Sequence, residues 1–461
     1  MNSRTPIRGQ AWLAGRRKLA AASALSMQVT GAALSFLATL LVAKLIGVTG
    51  LGLFFLSITV VEIGATVARL GLEGAALKSI AIARDSDDRA MMATLYRRCA
   101  GIGAVSAIVT ALLACLLAHL ISTVAASSPD FLAQVPLLAY ALVPVTLLPI
   151  QTEALKATGR PAAAAFFQTV FPQGMLLLFS AVLAWHGLAS IKLILTAYAL
   201  AFSLAVVASA IRWASIVEKF WLKSVVSSRA LLQTSMPMLA VSSLNLAMAW
   251  TDTLALGLFS SADQVGLYGV ALRIASTTAF VLTAANSVVA PEFAALHAGG
   301  RHADLERLVQ RSAFWVLIVA SPMILVFLVF PAEILSLFGE PFVVGSWPLR
   351  ILALAQLVNA ATGQVVPLLI MTGHANAMRN NLALAAVLNV AGNLALVPSL
   401  GALGAAISTA FCIALTRIVA WRHARHKLGI GVFGYLNLRA PRSTNEASHV
   451  TKQKDTRSRP N

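Results

Sequence analysis

The stretch RRKLAAASALSMQVTGAALSFLATLLVAKLI (16–46) sets the reading of the whole chain. Three cations precede a run, 19–46, with no acidic side chain and one basic one, Lys44. About twenty apolar residues cross the hydrocarbon core of a bilayer as a helix. A run of this length, with further apolar runs behind it, reads as a first membrane helix and not as a cleaved signal peptide.

Such runs recur to residue 421. Of 461 residues, 58% are hydrophobic and 11% charged, too little polar surface for a soluble protein of this size. The expected fold is all-α and polytopic, about twelve transmembrane helices in two six-helix bundles around a central cavity. The expected spans are 19–46, 51–72, 99–121, 135–155, 162–185, 189–210, 234–258, 266–290, 313–331, 348–370, 380–398 and 402–421.

The 35 Lys and Arg residues, net charge +18, fall mostly in every second gap. Lys78, Arg84, Arg89, Arg97 and Arg98 lie in one such gap, Lys156 and Arg160 in the next. Later ones hold Arg212, Lys219, Lys223 and Arg229, then Arg301, Arg307 and Arg311, then Arg379. The alternate gaps hold Asp130, Asp263, Glu333 and Glu340. Positive loops stay on the cytoplasmic side, so both termini are expected there. The positive charge thus reads as topology, and no soluble basic domain is left to bind nucleic acid.

The expected division is a cytoplasmic segment 1–18, a first bundle 19–213, a linker 214–232, a second bundle 233–421 and a basic tail 422–461. The tail reads as disordered, with no more than surface attraction to anionic lipid. Trp213, Phe220, Trp221 and Leu222, alternating with Lys219 and Lys223, suit a helix lying in the membrane interface. Cys99, Cys115 and Cys412 are isolated in apolar spans, so neither a disulfide framework nor a metal site is expected. No phosphate-binding G-x-x-x-x-G-K-[ST], H-E-x-x-H or G-x-S-x-G motif occurs, and no enzymatic role or cofactor is expected beyond H⁺ or Na⁺ coupling.

The two halves repeat at one offset. Gly52-Leu53-Phe54 matches Gly266-Leu267-Tyr268, Thr158-Gly159 matches Thr372-Gly373, and Arg97 matches Arg311, each 214 residues apart. Six spans intervene, an even number, so the repeat is parallel and its axis runs along the membrane normal.

Charge inside a span is costly, about 2.5–3.5 kcal/mol per residue even on the lenient insertion scale. Glu62, Arg69, Asp252 and Arg273 lie well inside spans and should face a wet cavity or each other. Glu62, Arg69 and Glu73 share one face, and Glu73 follows Arg69 by one helical turn, at pairing distance. Asp252 and Arg273 stand at matching depth on either side of the gap 259–265, where a salt bridge could act as clasp or gate. Asn245 continues the face of Asp252. Gln356, Asn359 and Gly363 share a face of the tenth span. Asn389 and Asn393, one turn apart, read as helix-joining amides. Lys44, Lys192 and Arg350 sit near outer ends and can snorkel to headgroups.

The chain resembles bacterial polysaccharide-export flippases of the multidrug/oligosaccharidyl-lipid/polysaccharide superfamily. The segments that carry this are ARLGLEGAALKSIA (68–81), Asp252 with VGLYGVALRIAS (265–276), PEFAALHAGGRHADLERLVQRSA (291–313), LFGEPF (337–342) and LGALGAAISTA (400–410). The resemblance implies alternating access for an undecaprenyl-diphosphate-linked oligosaccharide, serving O-antigen, capsule or exopolysaccharide synthesis. It also implies partner proteins for polymerisation and chain length. Many members carry Arg directly after the seventh-span Asp, whereas this chain has Thr253.

A diphosphate head needs cations, and sugars need hydroxyls and amides. Arg69 and Arg273 are therefore the expected diphosphate contacts, with Lys44 near the outer mouth and Asn245, Gln356 and Asn359 for sugars. Glu62 and Asp252 are the expected ion-coupling or gating carboxylates. Two other readings compete: a cation-coupled multidrug extruder of the same superfamily, and a non-transporting scaffold of a polysaccharide assembly complex. Basic residues at least as numerous as acidic ones in the spans favour the flippase.

Overall fold

In lipid a single segment satisfies its own backbone polar groups only as a helix. The computed structural model describes residues 8–124, 134–217 and 228–431, and among them all regular structure is helical. The elements are α1 (Arg8–Arg69), α2 (Leu72–Asp85), α3 (Arg89–Val124), α4 (Val135–Ala157), α5 (Pro161–Ala165), α6 (Phe171–Trp185) and α7 (Ile191–Val217). After these come α8 (Ser228–Phe259), α9 (Ala262–Ser276), α10 (Ala279–Ala298), α11 (His302–Val329), α12 (Pro331–Ser336), α13 (Ser346–Thr362), α14 (Val365–Met371), α15 (Ala375–Leu400) and α16 (Ala402–Leu428). The interfacial helix expected around 214–232 and the tail beyond 431 lie largely outside the described residues.

Ten described runs are long and apolar enough to cross a membrane. The first, Ala22–Arg69, has 48 residues. As a straight helix it would reach roughly 72 Å, over twice the hydrocarbon thickness. It turns at Gly47 (φ 67°), which makes it two passages. The 32 residues of α8 supply another, bringing the total to the expected twelve.

Exposure is inverted relative to a soluble protein. On α3, Leu112 and Leu116 are 64% and 54% exposed, while small residues such as Ala65, Ala68, Ala75 and Ala76 are fully buried. Lipid gives no drive to hide leucine, and small side chains let helix backbones approach. Ion pairs among the described residues sit at helix ends, Arg84–Asp85, Lys156–Glu153 and Asp304 with Arg301 and Arg307. These ends, with Arg97, Arg98 and Arg311, define a basic face.

Residues one repeat apart meet at the opposite face. A β-carbon on Gly52 would stand 1.7 Å from the Ala262 carbonyl oxygen and 3.0 Å from Gly266 N. One on Gly266 would stand 2.5 Å from the Val48 carbonyl oxygen. Beside this crossing Thr49 donates to Asp263 Oδ1 at 2.5 Å, again 214 residues away. Mutual contact between repeat mates is what residues beside a two-fold axis must make. The same offset relates the left-handed glycines Gly159 and Gly373, and Gly187 and Gly401.

Several expected spans are interrupted. Leu70 (φ 51°) and Gly71 (φ 72°) turn the chain before α2, so Glu73 opens a new helix and does not follow Arg69 by one helical turn. Gly71 lies against the α8 backbone, where a β-carbon would meet the Ser235 carbonyl oxygen at 2.3 Å. The eighth span breaks between α9 and α10, and the tenth at Gly363 (φ 56°) between α13 and α14. Gln364 Nε2 donates to the Leu282 carbonyl at 2.9 Å and ties α10 to the break at Gly363. In the fifth span a π turn, Phe166–Val170, precedes Pro172. The proline has no N–H for the carbonyl four residues back, and the wider turn accommodates its ring.

Candidate functional site

A cavity of about 440 Å³ lies between the halves. Its wall takes Thr39, Phe54 and Glu62 from the two arms of α1, Gln173 from α6, and Tyr198 and Phe202 from α7. From the second half come Trp250 and Thr253 of α8 and Arg273 and Ser276 of α9. Of the eight residues expected in the site, Glu62 and Arg273 line this cavity. Arg273 donates to Ser35 Oγ on the first arm of α1, so its guanidinium reaches across to the other half.

Arg69, Lys44, Gln356, Asn359 and Asp252 stand elsewhere. Arg69 donates to Thr66 Oγ1 at the end of α1 and lies outside the cavity lining. Lys44 is exposed three residues before the Gly47 turn. Gln356 and Asn359 are buried within the second half, where Asn359 Nδ2 donates to Gln356 Oε1 at 3.0 Å. The side chain of Asn245 lies outside the described residues.

Asp252 is not paired with Arg273. The helical hairpin turns at Ser260–Ser261, nearer Asp252 than the middle of the gap 259–265. That register sets Tyr268 opposite Asp252 and leaves Arg273 more than a turn deeper. Five residues on α9 also separate their directions by roughly 140°. Tyr268 accordingly donates its hydroxyl to Asp252 Oδ2. Thr409 Oγ1 reaches the same oxygen at 2.5 Å. Asn389 and Asn393 donate to Oδ1 at 3.0 and 2.5 Å.

Two donors on each oxygen, drawn from α9, α15 and α16, hold a carboxylate that is only 2% exposed. The Asn pair joins helices, as expected, and does so through Asp252. The carbonyl oxygens Oδ1 of Asn389 and Asn393 are buried without a hydrogen-bond partner. Asp252→Ala should cost about 1–3 kcal/mol for each buried donor left unpaired. The expected readout is a clear fall in the thermal unfolding midpoint of the purified protein. An unchanged midpoint would contradict this hydrogen-bond set.

Tyr268, Thr409, Ser35, Tyr198 and Trp250 were not singled out from sequence as site residues. Hydroxyls and aromatics are ordinary in membrane helices and gain meaning only from what packs beside them.

Twelve passages in two related halves, with a largely apolar cavity that holds Glu62 and Arg273 on the seam, define a two-lobed membrane transporter fold. A model described as polysaccharide biosynthesis protein matches residues 20–297, and the MatE model matches 237–394. The chain belongs to the polysaccharide biosynthesis protein family. It is 27% identical over 175 residues to a probable low-salt glycan biosynthesis flippase of Haloferax volcanii, covering 37% of this chain and 36% of that one. It is also 27% identical over 179 residues to a probable flippase of the same organism, covering 38% and 37%. The chain thus spans little more than a third of the length of these curated relatives.

Among solved structures it resembles an inward-facing multidrug resistance transporter of the MATE family and MOP superfamily. The TM-score is 0.68 at 15% identity, over 91% of this chain and 100% of that one. It also resembles the lipid II flippase MurJ in an inward closed conformation, with TM-score 0.70 at 11% identity over 91% and 89%. At these identities the likeness is one of fold.

Proposed function

We propose that the protein is a flippase that moves a lipid-diphosphate-linked oligosaccharide across a bacterial inner membrane by alternating access. The observation that carries this is Arg273, a cation on the wall of a cavity between the two halves. A guanidinium there offers forked donors to a diphosphate in a low-dielectric site, where they count for more than in water. Trp250, Tyr198 and Phe202 give sugar rings faces to stack on, and Gln173, Thr39 and Ser276 offer hydrogen bonds. At about 440 Å³ the cavity suits a diphosphate and the first sugars, so a longer glycan requires the halves to part.

On this reading both termini are cytoplasmic and Asp252 is the coupling carboxylate. The Asp252 carboxylate and the Thr409 hydroxyl are hard oxygen ligands suited to Na⁺, and the carboxylate alone suits H⁺. O-antigen, capsule and exopolysaccharide pathways, with their polymerase and chain-length proteins, are the settings this substrate implies. The aromatic wall with Glu62 favours a second reading, extrusion of a lipophilic cation.

Deleting the gene and assaying surface glycan, the lipid-linked intermediate and dye sensitivity separates the two. The flippase reading expects loss of surface glycan with accumulation of the intermediate. Unchanged glycan with raised dye sensitivity would replace it with the extruder. In proteoliposomes, transport should depend on a Na⁺ or H⁺ gradient, and Asp252→Asn should remove that dependence. Gradient-dependent transport by Asp252→Asn would exclude Asp252 as the coupling group.

A further inference from the structure

Two grooves open to the membrane at the basic face, one in each half. The first lies between Leu70, at the end of α1, and α3. It has a volume of about 530 Å³, with Arg97 and Arg98 at one end and Ile102 and Val105 beyond them. The second lies between α10 and α11 and has about 300 Å³, with Leu308, Arg311 and Val288 toward the basic face and Trp315 and Val319 beyond them. Both face lipid: Val105 is 63% exposed, Val288 65% and Val319 57%.

The grooves are repeat mates. Arg97 and Arg311, Gly101 and Trp315, and Val105 and Val319 are each 214 residues apart. Two unlike sequences thus build the same combination, a cationic mouth at headgroup level and an apolar trough running into the bilayer. The difference in size has a simple cause. Trp315 occupies part of its groove, whereas at Gly101 an added β-carbon would meet nothing within 4 Å.

We infer that these grooves are a pair of binding sites for anionic phospholipid, with an acyl chain in each trough and the phosphate on Arg97 and Arg98 or on Arg311. The troughs themselves are apolar, and exposed arginines stand at their rims, Arg97 and Arg98 on the first and Arg311 on the second; that pairing of charge with hydrocarbon decides the occupant. An apolar helix of a partner would set hydrocarbon against the guanidinium groups. A glycolipid would find neither amide nor carboxyl among the lining residues to receive its sugar hydroxyls. The sites differ in strength. Arg98 has Ser312 as its repeat mate, so the first groove carries one more cation, worth about fivefold in affinity for an anionic headgroup.

Trp315 is a natural probe. The full chain is reconstituted in phosphatidylcholine with a minor fraction of dibrominated phosphatidylglycerol or, separately, dibrominated phosphatidylcholine. The Trp315 signal is the difference from Trp315→Phe. Bromine should quench it several-fold more strongly on the anionic lipid, and Arg311→Gln should erase that preference while Arg311→Lys keeps it.

Gly101→Trp in the Trp315→Phe background reports the first groove. There the preference should be about fivefold stronger. It should fall when Arg97 and Arg98 are both changed to Gln. Equal quenching by both lipids, or a preference that survives Arg311→Gln, would overturn the inference. Quenching by neither lipid would show a protein segment covering the groove and would also overturn it.

Discussion

Arg273→Ala is expected to cut glycan transport by roughly ten- to hundredfold while the protein still inserts in the membrane. The guanidinium is a cation on the cavity wall, and it bonds Ser35 from the other half. Hydrogen bonds to charged groups are worth about 1.5–3 kcal/mol, which is roughly ten- to hundredfold in transport rate if the contact is made to a diphosphate. Arg273→Lys should retain part of the activity, since it keeps the charge and loses the fork. Arg69→Ala, by contrast, should have a smaller effect, because Arg69 bonds Thr66 on its own helix outside the cavity lining. The check is complementation of a deletion strain with membrane levels of each variant measured in parallel. Wild-type transport by Arg273→Ala would remove Arg273 from the substrate path.

Gly52→Leu should hold the face opposite the basic one open. The would-be β-carbon falls 1.7 Å from a backbone oxygen that no rotamer can move. Carbon needs about 3.5 Å, so the α1 and α9 backbones must part by roughly 1.5–2 Å at their crossing. Overpacking of this kind costs typically 1–3 kcal/mol, enough to invert an equilibrium between closed and open states of similar energy. In a background without Cys99, Cys115 and Cys412, cysteines replacing Thr49 and Asp263 report closure by crosslinking. The pair should crosslink with Gly52 present and fail to do so with Gly52→Leu, and transport should be lost with it. Retained crosslinking and transport would show that the crossing does not need to close. Gly266→Leu is expected to act in the same way from the other side.

The passages were legible because hydropathy and charge report the one thing lipid demands, apolar length between cationic ends. Their interruptions were not. Thr277 and Thr278 stay small through their break, and Arg69 and Glu73, which flank Leu70 and Gly71, read equally well as a pair on one continuous helix. Composition therefore carries no mark of the change in direction. Glu62 and Arg273 could be picked out because a charge within a span needs a reason to be there. The setting of Asp252 could not be. Its partners Tyr268, Asn389, Asn393 and Thr409 come from three other helices, up to 157 residues away in sequence. The expected Asp252–Arg273 pair rests on taking the middle of the polar gap between two apolar spans as the turn, and a shift of a residue or two gives the carboxylate to Tyr268.

The crossing of Gly52 with Gly266 also has a bearing on synthesis. The contact joins residues 214 apart, and at about 5–20 residues per second roughly 10–40 s pass before the second glycine exists. Throughout that interval the first half sits in the bilayer with its small-residue seam, Ser35, Thr49 and Glu62 facing lipid or a temporary neighbour. The nascent first half is thus the stage most open to membrane proteases and to pairing with a second nascent chain through the same seam.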